Sequence, residues 1–153
     1  MEGISIIKHW KGSPGLRYFG LGPNMTPSRG LKKLGNLLNK ETFWANHRNY
    51  KCLKIMLANS TEVISIWKKG EIIGFGRATS DKIYRAVLWD IVVASKFQGH
   101  GLGRIIVEEL LKKSSLKSVE KIYLMTTNCL QFYEKINFRK VASQTLLLYK
   151  SNH

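Results

Sequence analysis

Two periods of apolar residues alternate along the chain, and the switches between them mark its elements. Residues 4–7 predict a short strand, and residues 16–19 a second one after the Gly12-Ser13-Pro14-Gly15 turn. Residues 20–23 interrupt the pattern, and Thr26-Pro27 then supplies a helix N-cap with proline at the first helical position. Leu31, Leu34 and Leu38 share one face of that helix, which stops at Asn39. A second helix is predicted over 41–58, with Phe43, His47, Tyr50 and Leu57 on one stripe. From Val63 the period becomes that of strands. Residues 63–67, a tight Lys69-Gly70 turn and residues 71–78 read as a hairpin. A polar loop over 79–82 leads into a long strand over 84–93. Residues 99–113 form a loop and a helix whose Leu102, Ile106 and Leu110 face inward beside Val107 and Leu111. A strand over 121–127, an N-cap at Asn128, a short helix over 129–136 and two closing strands over 138–141 and 146–149 complete the reading.

A long strand joined through a helix to the next strand predicts a right-handed crossover onto a parallel partner. Ligands of such units bind at the carboxyl ends of the strands. Gln98-Gly99-His100-Gly101-Leu102-Gly103-Arg104 sits at that end, as does Asn128. A helix N-terminus leaves about four amides without intrahelical partners, and glycines let a ligand approach them closely. Anions are stabilised there. No Gly-Lys-Ser/Thr follows, so the side chains that would hold a nucleotide's terminal phosphate and its magnesium are missing. The spacing also differs from GxGxxG, and Glu120 precedes a strand instead of ending one. Nucleotide triphosphates and nicotinamide cofactors are therefore disfavoured.

The 153 residues, 44% of them hydrophobic, fit one globular domain over 1–153. No apolar run is long enough to span a bilayer and no signal-peptide pattern opens the chain, so a soluble intracellular protein is expected, with no membrane partner. The formal charge of +15 is the compositional oddity. Its lysines are scattered, as at Lys32-Lys33, Lys68-Lys69 and Lys112-Lys113, which reads as a solvated basic shell or as steering of a polyanionic ligand. Any nucleic-acid binding from this field would be non-specific. Cys52 and Cys129 lack metal-site spacing and are expected to be buried free thiols; no metal is implied.

These residues carry a resemblance. Gln98, Gly101 and Gly103 match the Gln/Arg-x-x-Gly-x-Gly/Ala pyrophosphate loop of the GNAT superfamily of N-acetyltransferases, and Phe132-Tyr133-Glu134-Lys135-Ile136-Asn137-Phe138 matches its Phe-Tyr-Glu-Lys-x-Gly-Phe signature. The runs Gly74-Phe75-Gly76-Arg77-Ala78-Thr79-Ser80-Asp81, Leu88-Trp89-Asp90-Ile91-Val92-Val93 and Gly15-Leu16-Arg17-Tyr18-Phe19-Gly20-Leu21-Gly22-Pro23 resemble a cyanobacterial and plastid branch. That branch includes plant chloroplast proteins described as nuclear-shuttle-interacting or serotonin N-acetyltransferases. Asn137 replaces the usual glycine, with Asn the non-glycine residue best suited to a left-handed turn. At Thr126-Thr127-Asn128 plant members carry an aspartate that this chain lacks.

The resemblance implies an α/β (α+β) GNAT fold: one mixed, mostly antiparallel sheet, a single parallel βαβ unit splayed around acetyl-CoA, and helices on both faces. It implies an acetyl-CoA-dependent N-acetyltransferase acting on a protein lysine, a protein N-terminus or an arylamine such as serotonin. A catalytically silent acyl-CoA-binding or nucleic-acid-associated module is the alternative. By the same likeness, Ile91, Val92 and Val93 would pair with the pantetheine arm and Gln98, Gly99, His100, Gly101, Leu102, Gly103 and Arg104 would wrap the pyrophosphate, with Asn128 and Tyr133 also on the cofactor. Tyr133 would protonate the departing thiolate. Asp90 is the candidate base, since a carboxylate in an apolar strand is costly unless partnered or used; a structural aspartate or a water chain is the competing reading. Strict alternation places Asp90 opposite Trp89 and Ile91, so a bulge would decide which of them sees substrate. Trp89 and Thr127 are candidate acceptor contacts, with core packing the other reading of Trp89. His100 is expected to be solvated and His47 to pack. Homodimerisation, and a plastid stroma or cyanobacterial cytoplasm as location, are further expectations of the likeness.

Overall fold

The computed structural model describes residues 1–152. Among them, one five-stranded sheet runs in the order β1 (Ile4–Lys8), β2 (Glu62–Lys68), β3 (Glu71–Ser80), β4 (Arg85–Val93) and β5 (Lys121–Tyr123). The first three pairings are antiparallel and β4 with β5 is parallel, the mixed sheet that was expected. Three helices lie between β1 and β2: α1 (Pro14–Phe19), α2 (Gly30–Glu41) and α3 (Tyr50–Ala58). The crossover from β4 to β5 carries α4 (Leu102–Leu111) and α5 (Ser114–Lys117), and α6 (Leu130–Glu134) follows β5.

Pairing parity decides what each sheet face carries. Ile64 and Ile66 stand across from Gly76 and Gly74, and this face receives α4 through Ile106. Glycine is needed there, because a Cβ on Gly76 would lie 2.5 Å from Ile106 Cγ2 and 2.7 Å from Ile91 Cδ1. Ser65 and Trp67 belong to the other face, where the Lys33 ammonium of α2 lies 5.8 Å above the Trp67 ring. The inward stripe of α4 is Leu102, Ile106, Val107 and Leu110, all buried as its period predicts. The β2–β3 turn has positive φ at both Lys69 and Gly70, the geometry whose twist suits a two-residue hairpin.

Several expectations are corrected. Residues 16–19 are helical, not extended: Pro14 opens α1 and left-handed Gly20 ends it, the proline-first, glycine-last asymmetry of helices. Thr26-Pro27 caps nothing, because Pro27 bridges back to Leu21 and α2 begins only at Gly30. The helix predicted over 41–58 is broken. Thr42 turns extended at the end of α2, and the Asn49 side chain accepts from Cys52 N–H at 2.8 Å to cap a new helix, α3. Phe43, His47 and Tyr50 are consequently exposed, and α3 buries Leu53 and Leu57 instead. Cys52 and Cys129 are exposed thiols, since both lie off the buried faces of their segments. Residues 138–141 and 146–149 form no strands; apolar composition favours an extended chain, but neither segment finds a ladder partner, and β5 stops pairing after Tyr123.

A buried histidine makes the stability of this fold pH-dependent. His9 Nε2 lies 2.8 Å from Ser65 Oγ, which also accepts from Trp67 Nε1–H at 2.9 Å. Burial lowers the His9 pKa from 6.5 to about 4. Between those values the unfolded chain binds a proton that the folded one refuses, so stability is full above the unfolded pKa and falls as pH drops toward 4. The shift corresponds to about 3 kcal/mol. Unfolding free energies from urea melts at pH 7.5 and 4.5 should differ markedly in the wild type and by roughly 3 kcal/mol less in His9→Gln; equal differences would show that another group carries the acid sensitivity.

Candidate active site

The site begins where two parallel strands part. β4 and β5 pair only at Arg85↔Lys121, Ala86↔Ile122 and Val87↔Tyr123, so past Val87 the chain of β4 runs on with no described strand on that side. A bulge sits just beyond. Phe75 pairs with Val92 but Arg77 with Trp89, which leaves Asp90 and Ile91 together opposite Gly76. Asp90 adopts φ 53°, a left-handed conformation that aspartate tolerates better than most residues. The sequence left it to a bulge to decide between Asp90 and its neighbours Trp89 and Ile91, and a bulge lies at Asp90 and Ile91.

The glycine turn follows immediately. Gln98 Nε2 donates to the Val93 carbonyl at 2.9 Å, tying the turn to the end of β4. Gly99 and Gly101 have φ of 81° and 79°, and a Cβ at either would meet nothing within 4 Å, so the turn is unobstructed at both positions. Gly101 is the N-cap of α4, and the Ile105 amide bonds back to its carbonyl at 3.0 Å. The amides of Leu102, Gly103 and Arg104 are left as donors at the positive end of the helix dipole. His100 is exposed, and the Arg104 side chain pairs with Glu108 at 2.6 Å one turn on. Glu41 ties α2 to the same region, accepting from the backbone N–H of Ser95 at 3.1 Å and from its hydroxyl at 2.5 Å.

The two motifs singled out in the sequence meet in space. A Cβ on Gly103 would stand 3.2 Å from Phe132 Cζ, so α6 packs directly on the first turn of α4. Tyr133, the next residue, is 8% exposed, with its ring edge-on to Phe132 at 4.9 Å and to Phe138 at 5.9 Å. Burial, with a smaller contribution from Cys129, pushes its pKa up to about 12. No group among the described residues hydrogen-bonds its hydroxyl. Asn137 takes φ 72° after α6, as expected for an asparagine in a glycine's place. Thr127 and Asn128 are exposed in the loop between β5 and α6. Thr126 Oγ1, rather than Asn128, accepts the Cys129 amide, at 3.1 Å.

Asp90 is the hub of an ion cluster that the sequence did not announce. Arg48 donates to it at 2.9 and 3.3 Å, Arg77 at 2.8 Å and Trp44 Nε1 at 3.3 Å. Burial raises the Asp90 pKa, but hydrogen bonds and charge from Arg48 and Arg77 outweigh it and hold the carboxyl below its usual range. Arg77 also lies 5.8 Å over the Trp89 ring, whose N–H donates to Thr79 at 2.9 Å. Removing one member of such a buried pair costs about 3–5 kcal/mol when the other charge is stranded. Arg48 and Trp44 were absent from the sequence reading because the segment holding them read as the interior of one continuous helix.

Known proteins show the same likeness. The sequence is 36% identical over 98 residues to the uncharacterized N-acetyltransferase ycf52 of Pyropia yezoensis, covering 61% of this chain and 56% of that protein. It is 35% identical over 69 residues to the chloroplastic GCN5-related N-acetyltransferase 2 of Arabidopsis thaliana, covering 44% of this chain and 27% of that one. The chain thus spans about half the length of the first of these relatives and about a quarter of the second. A GNAT-family crystal structure from Xanthomonas campestris pv. campestris superposes with a TM-score of 0.73 at 17% identity, over 99% of this chain and 95% of its own, which shows a shared fold. The Acetyltransferase (GNAT) family model matches residues 31–138, which hold the glycine turn, the β4 bulge and the Tyr133 helix, and the chain belongs to that family.

Proposed function

We propose that this protein transfers an acetyl group from acetyl-CoA to a primary amine. The observation that carries the reading is the conjunction, at one end of the sheet, of an open strand edge, a glycine-lined helix N-terminus and a tyrosine whose ring is buried and whose hydroxyl has no hydrogen-bond partner among the described residues. The family and the names of its relatives support it.

The residues fit the co-substrate. The amides of Leu102, Gly103 and Arg104, with open space over Gly99 and Gly101, suit a diphosphate. The backbone of Ile91, Val92 and Val93 continues β4 where β5 has left it, and suits an amide-bearing arm laid alongside. Gln98 holds the turn to that strand, while His100 and Asn128 stand at the solvent edge. Acetyl-CoA supplies an activated acetyl thioester. The chain's own work is to fix it, admit a neutral amine and protonate the departing sulfur. Tyr133, with its pKa near 12, stays protonated at neutral pH and can donate there. Asp90 is better suited to holding Arg48 and Arg77 than to taking a proton, because both of its oxygens already accept from cations. Water then receives the amine's proton. Trp89 and Thr127 are retained as acceptor contacts.

The chloroplastic name of one relative supports a plastid location, and no helix among the described residues is long and apolar enough to cross a membrane. The charge of +15 favours an acceptor of low positive charge over a polybasic tail. Calorimetry with acetyl-CoA, followed by mass spectrometry of an amine panel, tests the reading. Saturable binding with acetylated product above the enzyme-free background is expected. Binding without product would favour the catalytically silent alternative, and no binding would remove both.

A further inference from the structure

The end of the sheet farthest from the glycine turn holds three large apolar side chains in solvent on fixed backbone, with lysines beside them. β4 is nine residues long, so its start, where this surface lies, stands roughly 25 Å from Val93. Two turns build the surface. In the first, after β1, the His9 amide donates to the Val63 carbonyl at 3.0 Å and the Ser13 amide to the Trp10 carbonyl at 2.7 Å, yet Trp10 is 86% exposed. In the second, between β3 and β4, Asp81 Oδ1 accepts from the amides of Ile83, Tyr84 and Arg85 at 2.8, 2.7 and 3.0 Å. The Ile83 and Tyr84 carbonyls accept from the amides of Glu120 and Lys121 at 3.0 and 3.1 Å, while their side chains stand 61% and 60% exposed. Holding such residues in water forgoes apolar burial, and the hydrogen bonding of the turns needs none of the three side chains. The turns are also neighbours. A cavity of about 200 Å³ lies between them, lined by Lys11 and Lys82 with Thr61, Glu62, Ser114 and Ser115. Its one carboxylate is already satisfied, since Glu62 accepts from Ser115 Oγ at 2.7 Å and pairs with Lys113 at 3.7 Å. Glu120 is likewise paired, with Arg85, which leaves Lys11 and Lys82 without an ion-pair partner among the described residues.

We propose that this end of the sheet docks on an anionic lipid surface, with a lipid phosphate seated between Lys11 and Lys82 and with Trp10, Ile83 and Tyr84 entering the interface. Tryptophan and tyrosine favour the headgroup level of a bilayer, and lysines next to them add attraction to anionic lipid. The hydroxyls of Thr61 and Ser114 supply further donors to a phosphate in the cavity. Ile83 argues against a nucleic-acid strand, because it offers no ring for a base to stack on. The charge of +15 draws the chain toward any anionic membrane, and the apolar tips decide which end arrives. So oriented, the β4 bulge and the glycine turn face away from the bilayer and stay open to water. The expectation of no membrane partner rests on the lack of a spanning run, and docking from one side needs none.

Cosedimentation with vesicles of phosphatidylglycerol and phosphatidylcholine, compared with vesicles of phosphatidylcholine alone, tests the proposal at near-physiological salt. The wild type should bind the mixed vesicles at least about tenfold more tightly than the neutral ones. Lys11→Glu/Lys82→Glu should weaken that binding by about tenfold or more. Lys32→Glu/Lys40→Glu makes the same charge change on α2, whose Glu41 is tied to the far end of β4, and should weaken it much less. Trp10→Ala/Ile83→Ser keeps every charge and should also lose about tenfold. All the substituted side chains are exposed, so thermal melts of the three variants should match the wild type. Equal losses from the two lysine pairs would mean that diffuse charge alone attracts the protein, and full binding by Trp10→Ala/Ile83→Ser would mean that no apolar side chain enters the bilayer; either result overturns the proposal. So does a wild type that stays in the supernatant with mixed vesicles, and binding of a single-stranded oligonucleotide through Lys11 and Lys82 would then reassign the surface to nucleic acid. None of these outcomes bears on acetyl-CoA binding, which belongs to the other end of β4.

Discussion

Gly101→Glu should abolish acetyl-CoA binding while leaving a folded protein. Gly101 sits at φ 79°, so any L side chain there carries strain of about 1–2 kcal/mol. A domain of this size tolerates that loss. The added side chain meets nothing of the protein itself within reach of Cβ, so its carboxylate is free to swing onto the turn. There it sets a carboxylate against the amides of Leu102, Gly103 and Arg104, displacing a diphosphate and opposing it in charge. Charge-assisted hydrogen bonds contribute about 1.5–3 kcal/mol each, so loss of two weakens binding by at least about a hundredfold. Gly101→Ala separates the causes: it carries the same backbone strain without charge or bulk and should retain most of the affinity. If Gly101→Glu binds acetyl-CoA as the wild type does, the diphosphate lies elsewhere and the assignment of the turn is lost.

The features of this site that were legible in the sequence are those written in contiguous residues. The hairpin turn at Lys69-Gly70, the inward stripe of α4, the glycine turn and the Phe132-to-Phe138 signature each depend on local spacing, and each appears where that spacing puts it. What could not be read depends on partners distant in the chain. Asp90 stood out as a carboxylate in an apolar strand, but its meaning rests on Arg48, 42 residues earlier, and on the Asn49 cap that ends the loop carrying Arg48. The Thr42 and Asn49 signals were present, yet a continuous apolar stripe over 41–58 outweighed them. Residues 16–19 failed differently: three apolar residues suit either period, and only the flanking Pro14 and Gly20 decide for helix. Composition also named strands over 138–141 and 146–149 without being able to say what edge would receive them.

Tyr133→Phe should cut turnover by about a hundredfold or more, the lower end of what a positioned proton donor contributes, with acetyl-CoA affinity and thermal stability close to wild type. Stability should hold because the ring's packing against Phe132 and Phe138 is kept and the hydroxyl gives up no hydrogen bond to the described residues. Affinity should hold because the glycine turn, not the tyrosine, supplies the diphosphate contacts. The effect therefore belongs to kcat: without the phenol, the departing thiolate must take its proton from water. The pKa near 12 gives a second signature, since the donor stays protonated through the neutral range and a fall in rate between pH 7 and 9 cannot come from Tyr133. The discriminating measurement replaces acetyl-CoA with a thioester of a more acidic thiol, whose leaving group needs little help. Tyr133→Phe should then approach the wild-type rate. An equal deficit with both thioesters would mean that Tyr133 places the acyl group instead of protonating what leaves it, and full activity with acetyl-CoA would remove the tyrosine from the chemistry altogether.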